Sequence, residues 1–112
     1  MDRKRELKEQ YKQMKPDMGL FIIKAKDSGR YHLEGTQNLK GKMNSLLFQL
    51  KMGSSYNKEL QKDWKEKGEE NFIVEIVEKL EYDKDDEAKT DYTDELELLK
   101  MIWQDKLPGK PY

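Results

Sequence analysis

The sequence predicts an α+β sandwich, a small three-stranded, antiparallel-containing sheet flanked by helices in the order α-β-β-α-α-β-α. Three observations predict it. Two short runs of β-forming residues, 19–25 and 30–34, flank the turn Asp27-Ser28-Gly29, which is the pattern of a hairpin. A third run, Phe72-Ile73-Val74-Glu75-Ile76-Val77, is almost continuously apolar and reads as the central strand. Around these runs, apolar residues recur at helical spacing.

In chain order, residues 2–14 read as a helix with Leu7, Tyr11 and Met14 at i, i+4, i+7, ended by Pro16. So narrow a stripe on so charged a segment fits a docking arm or a dimer contact as well as core. Residues 1–15 are therefore set apart as an N-terminal helical arm from a single domain over 16–112. After the hairpin, Thr36 or Asn38 caps a helix whose stripe is Leu39, Met43, Leu46, Leu47 and Leu50, and Gly53 stops it. Ser54 or Ser55 opens a short helix with Tyr56, Leu60 and Trp64 four apart, closed by Gly68. The acidic stretch 81–91 reads as a solvated loop. Its Asp83–Glu87 segment echoes a calcium loop but lacks the glycine and the closing glutamate. Thr93 then caps a final helix with Asp94 and Glu95 in its first turn, where the helix dipole favours them. Its apolar face is Leu96, Leu99, Ile102, Trp103 and Leu107, and Pro108-Gly109 ends it.

Composition narrows the chemistry. Charged residues make up 40% of the 112 and hydrophobic ones 35%, so one thin core must come from a few patterned segments. The net charge of −1 and the regular apolar spacing argue against disorder. With no cysteine and a single histidine, His32, disulfides, thiolate zinc sites and multi-histidine metal clusters are excluded. No apolar run approaches the roughly 20 residues that span a bilayer, and the charged N-terminus is no signal peptide, so no membrane partner and a cytoplasmic location are expected. Charge is unevenly spread: residues 36–68 carry a net +4 and residues 69–105 a net −10.

Several motifs carry a resemblance. Gly19-Leu20-Phe21 lies on the first strand and His32-Leu33-Glu34 on the second, with ten residues between Phe21 and His32. Gly35-Thr36-Gln37-Asn38-Leu39 leads into the next helix, and 60–64, 67–72 and 103–107 follow in order. Together these resemble the GIY-YIG nuclease family, in which a Gly-Ile-Tyr strand pairs with a Tyr-Ile-Gly strand. The resemblance implies metal-assisted hydrolysis of a DNA phosphodiester. The first tyrosine helps activate water, the second lies nearby, a helix arginine stabilises phosphate charge, and a later glutamate binds the divalent metal.

The chain departs from that pattern at all four positions. Phe21 stands for the first tyrosine and has no proton to transfer. His32 stands for the second and keeps acid–base capacity. Lys42 stands for the arginine, keeping the charge but not the fork. Lys100 stands at the metal glutamate, with Glu97 one helical turn earlier as a fallback ligand. Losing a general base costs roughly 10²- to 10⁴-fold in rate. The resemblance with these departures implies a catalytically degenerate domain that binds nucleic acid or protein. Two alternatives stand beside it: an active endonuclease rebuilt on His32, Lys42 and Glu97, and a dimeric interaction module paired through its N-terminal helix. No cofactor is expected, and Mg²⁺ or Mn²⁺ only for an active enzyme. DNA, bound weakly and salt-dependently, would meet Lys40, Lys42, Lys51, Lys58 and Lys62. Each residue also has a plainer reading. Phe21, Trp64 and Trp103 read as core, His32 as strand surface, and the lysines as a solvated helix face.

Overall fold

The computed structural model describes residues 15–112. Its elements are β1 (Met18–Ala25), β2 (Tyr31–Thr36), α1 (Leu39–Met52), α2 (Lys58–Lys67), a 3-10 turn (Glu69–Asn71), β3 (Phe72–Leu80) and α3 (Thr93–Lys106). Over these residues the class and order agree with the sequence. The expected helix at 2–14 lies outside the described residues.

The sheet runs β2-β1-β3, with both pairs antiparallel. This corrects the expectation that the third strand is central: β1 is. The reason is two-sided coverage. Phe21, Ile23 and Ala25 face one layer, packing with Leu46 and Leu50 of α1 and with Leu60 and Trp64 of α2. Leu20 and Ile22 face the other, against Leu99 and Trp103 of α3. The apolar run of β3 is instead an edge strand, on which Ile73 is 37% and Ile76 45% exposed. An apolar run alone does not distinguish an inner strand from an edge whose faces are half covered.

Gly19 sits at φ 154°, and a Cβ there would meet the Glu78 carbonyl oxygen at 2.1 Å. Only glycine lets β3 approach so closely. The pairing shifts register directly after it, between Leu20 and Phe21. Gly35 has a similar role on β2, where an added Cβ would lie 3.2 Å from Leu20 and 3.4 Å from Leu96 of α3.

Two helix starts differ from expectation. Asn38 caps α1 by accepting from Gly41 N–H. For α2 the cap is Asn57 rather than Ser54 or Ser55, accepting from Leu60 N–H. Tyr56 therefore precedes the helix instead of joining its apolar stripe, and it is 57% exposed. At α3, Asp91 accepts from both the N–H and the hydroxyl of Thr93, which becomes the first helical residue instead of the cap. Ile102, expected on the apolar face, is 43% exposed beside Leu98 and Met101. At the C-terminal end, Tyr31 N–H donates to Lys110 and Tyr112 N–H to Tyr31, laying the tail on the outer edge of β2.

Candidate functional site

Phe21 and Glu34 are directly paired across β1 and β2, as are Ile23 and His32. Paired residues share a face, so His32 and Glu34 project to the side of α1 and α2. There the partners arrive from two other places. Lys42 comes from the first turn of α1, and Tyr56 and Asn57 from the loop that opens α2.

These five side chains form one network. His32 Nε2 lies 3.1 Å from Glu34 Oε1. The Tyr56 hydroxyl donates to the same carboxylate oxygen, and its oxygen lies 3.2 Å from His32 Nε2. Asn57 Nδ2 lies 3.4 Å from His32 Nδ1, while its Oδ1 is taken by the Leu60 N–H it caps. Asn57 is thus the donor and Nδ1 the acceptor, which assigns the imidazole proton to Nε2, facing Glu34. Lys42 Nζ stands 3.6 Å from Glu34 Oε2. That oxygen is otherwise buried without a hydrogen bond.

The electrostatics follow from these contacts. Burial pushes the Glu34 carboxyl up, but hydrogen bonds from His32 and Tyr56, with the charge of Lys42, hold it below its usual value. Burial and the adjacent carboxylate together push the Tyr56 phenol well above its ordinary range. It is a hydrogen-bond donor here and a poor base.

Beside this network lies an open cleft of about 320 Å³ between the end of β2 and α3. Glu34, Gly35, Thr36 and Gln37 form one wall; Thr93, Leu96, Glu97 and Lys100, at successive turns of α3, form the other. Gln37 anchors the entry to α3 by donating to the Thr90 carbonyl and accepting from Tyr92 N–H. Lys100 and Glu97 therefore line one cleft with Glu34.

Phe21 is apart from it, fully buried among apolar side chains. The lysines do not form one strip either. At about 100° per residue, Lys40 and Lys51 fall about 20° apart on α1, while Lys42 points to nearly the opposite side. Lys51 lies 3.8 Å from Glu69. Lys58 and Lys62 share an exposed face of α2.

A divalent metal does not fit these donors. Among the described residues no group of three or more His, Asp or Glu side chains is arranged to hold one. Of the two acidic residues lining the cleft, Glu34 is already held by His32, Tyr56 and Lys42, and Lys100 brings positive charge to the facing wall beside Glu97.

Sequence reasoning missed Glu34, Tyr56 and Asn57 as members of the site. A carboxylate where the resembling motif has glycine was the available signal for Glu34. Tyr56 and Asn57 gave none, because their approach depends on how the α1–α2 loop folds back over β2.

The fold has known counterparts. The chain superposes on the catalytic domain of the homing endonuclease I-TevI with a TM-score of 0.66, covering 84% of this chain and 96% of that one at 17% identity. On a point mutant of the catalytic domain of the intron endonuclease I-TevI the TM-score is 0.63, over 81% and 84% at 18% identity. No protein-family model matches the chain. No curated protein matches it either. At such identities the likeness defines the fold: the chain is a small α+β domain of GIY-YIG-like fold.

Proposed function

We propose that this domain keeps a nuclease fold without phosphodiester hydrolysis and acts by binding nucleic acid. One observation carries the reading. No proton-transfer group at the motif positions is open to a substrate, because Phe21 is buried and apolar, and His32 has both ring nitrogens engaged. Lys100 in place of a metal ligand supports it. The exposed lysines of α1 and α2, Lys40, Lys51, Lys58 and Lys62, supply the phosphate contacts. Such contacts make binding weak and steeply salt-dependent.

The test is supercoiled-plasmid nicking with Mg²⁺ or Mn²⁺, run beside a mock purification and a DNA-binding titration at several salt concentrations. The expected result is no cleavage above the mock, with affinity falling as salt rises and falling further on Lys40→Glu with Lys51→Glu. Binding that ignores salt overturns the binding half of the proposal. Phe21→Tyr, Lys42→Arg and Lys100→Glu made together are the route to recovered cleavage. One alone is insufficient, since such groups act as a unit.

A second reading has its own observation: two acidic residues, Glu34 and Glu97, line one cleft. Nicking by the unmodified protein that is lost on His32→Ala or Glu97→Ala establishes a rebuilt enzyme and overturns the first reading. Nicking that survives both substitutions belongs to a contaminant.

A further inference from the structure

Two exposed apolar patches lie on opposite layers of the molecule. In the α1–α2 layer, Phe48 and Met52 stand one helical turn apart on the outward side of α1, and Met52 is 67% exposed. Beside Met52, an open cavity of about 270 Å³ separates the end of α1 from α2, with Leu50 and Trp64 on its walls. Lys51 and Lys65 line it as well, and both are exposed. α1 contains no acidic residue. Glu69 offsets Lys51 in part, 3.8 Å away.

In the other layer, Leu98, Met101 and Ile102 of α3 are exposed, Met101 by 62%. At about 100° per residue they share an arc of about 100° with Asp94 and Asp105. These two acids lie about 16 Å apart along the helix axis, with Leu98 and Met101 between them. Neither is in an ion pair among the described residues. Lys106, at the edge of the arc, holds its ammonium over the Trp103 ring, 5.4 Å from the centroid. A lone exposed apolar side chain needs no partner, but several together, bordered by charge of one sign, mark an association surface. The two patches are complementary: apolar residues between acids on one, an apolar cavity beside lysines on the other. They face away from each other across the sheet, so no copy can satisfy its own.

We infer that the α3 face of one copy docks on the α1–α2 face of a second, with Met101 entering the cavity beside Met52 and Asp94 and Asp105 meeting Lys51 and Lys65. The contact is heterologous, so copies add head to tail and each addition leaves one patch of either kind open. One helix face against a helix pair buries less than a standard interface, so the association is weak and grows with concentration. Lys51 also belongs to the proposed nucleic-acid surface. The measurement is therefore made on protein freed of nucleic acid, where failure of that reading leaves the outcome unchanged.

Sedimentation velocity of the full chain, from micromolar to millimolar concentration, tests the inference. The average mass of the parent should climb past that of a dimer. Met52→Asp and Met101→Asp should each remain monomeric where the parent associates, a weakening of about tenfold or more. Mixed in equal amounts, the two should form a dimer that does not grow, because one retains the α3 face and the other retains the cavity. Lys51→Glu with Lys65→Glu should behave as Met52→Asp does, and association should weaken as salt rises. All four positions are exposed. Circular dichroism verifies folding, and Met52→Gln or Met101→Gln replaces a variant that unfolds. A parent that stays monomeric throughout overturns the proposal, as does a mixture that stays monomeric. Association that one single variant retains at parental strength overturns it in favour of a two-fold contact through the untouched face. Association that neither substitution changes overturns it in favour of another surface.

Discussion

Phe21 and Glu34 face each other across two paired strands and project to the same side, yet they occupy opposite environments. Phe21 is on the inner strand, with neighbours on both edges and helices over both faces, and is wholly buried. Glu34 is on an edge strand whose outer side, among the described residues, is covered near Tyr31 by the C-terminal tail. Its carboxylate reaches the rim where Lys42, His32 and Tyr56 meet it. One register position thus holds the centre of the core, and its partner the centre of the polar site. The inner strand sets stability; chemistry is confined to the edge, where side chains from other elements and solvent both have access.

That contrast orders the consequences of mutation. Phe21→Ala, which empties the middle of the core, should destabilise by about 3–5 kcal/mol in denaturant unfolding. A loss below about 1 kcal/mol would mean that the position is not the packing centre described here. Glu34→Gln should cost less, about 1–3 kcal/mol, through weakened charge-assisted hydrogen bonds to a partly buried site.

The two groups differ in pH response as well. The folded Glu34 value lies below its ordinary 4.5, so the native state binds fewer protons than the unfolded one through that range. Its contribution is complete above about pH 4.5 and is lost as pH falls through the lowered folded value. Glu34→Gln should therefore flatten part of the acid limb of stability, and Phe21→Ala should shift the whole curve without changing its shape. Asp27, at the hairpin turn, adds a second acid-sensitive contribution. Asn71 donates to it, and with Lys67 and the Ser28 N–H holds it at about 2 against an ordinary 3.8. Asp27→Asn should remove the Asp27 contribution and leave that of Glu34 intact in the same titration.

The smallest effect belongs to Tyr56→Phe. It deletes one hydrogen bond from a ring that is 57% exposed, and stability should fall by no more than about 1 kcal/mol. A larger loss would mean that the loop opening α2 is fastened to β2 chiefly through this phenol.

The sequence by itself determined the α+β class, the hairpin and, Tyr56 and Ile102 apart, the apolar stripes of α1, α2 and α3, because period and turn chemistry act over a few residues. It also offered Glu97 and Lys100 as site positions through motif order along one chain, and both line the cleft beside β2. Tertiary structure decided which strand is central. β1 and β3 are both apolar runs, and only the packing of α1 and α3 over β1 and β2 leaves β3 at the edge. The third dimension also decided the members of the polar network. Glu34 and Tyr56 are 22 residues apart, Asn57 follows Tyr56 in the same loop, and Lys42 comes from α1. Their convergence on His32 and Glu34 depends on how α1 and α2 lie across β2, a long-range placement that no local pattern encodes.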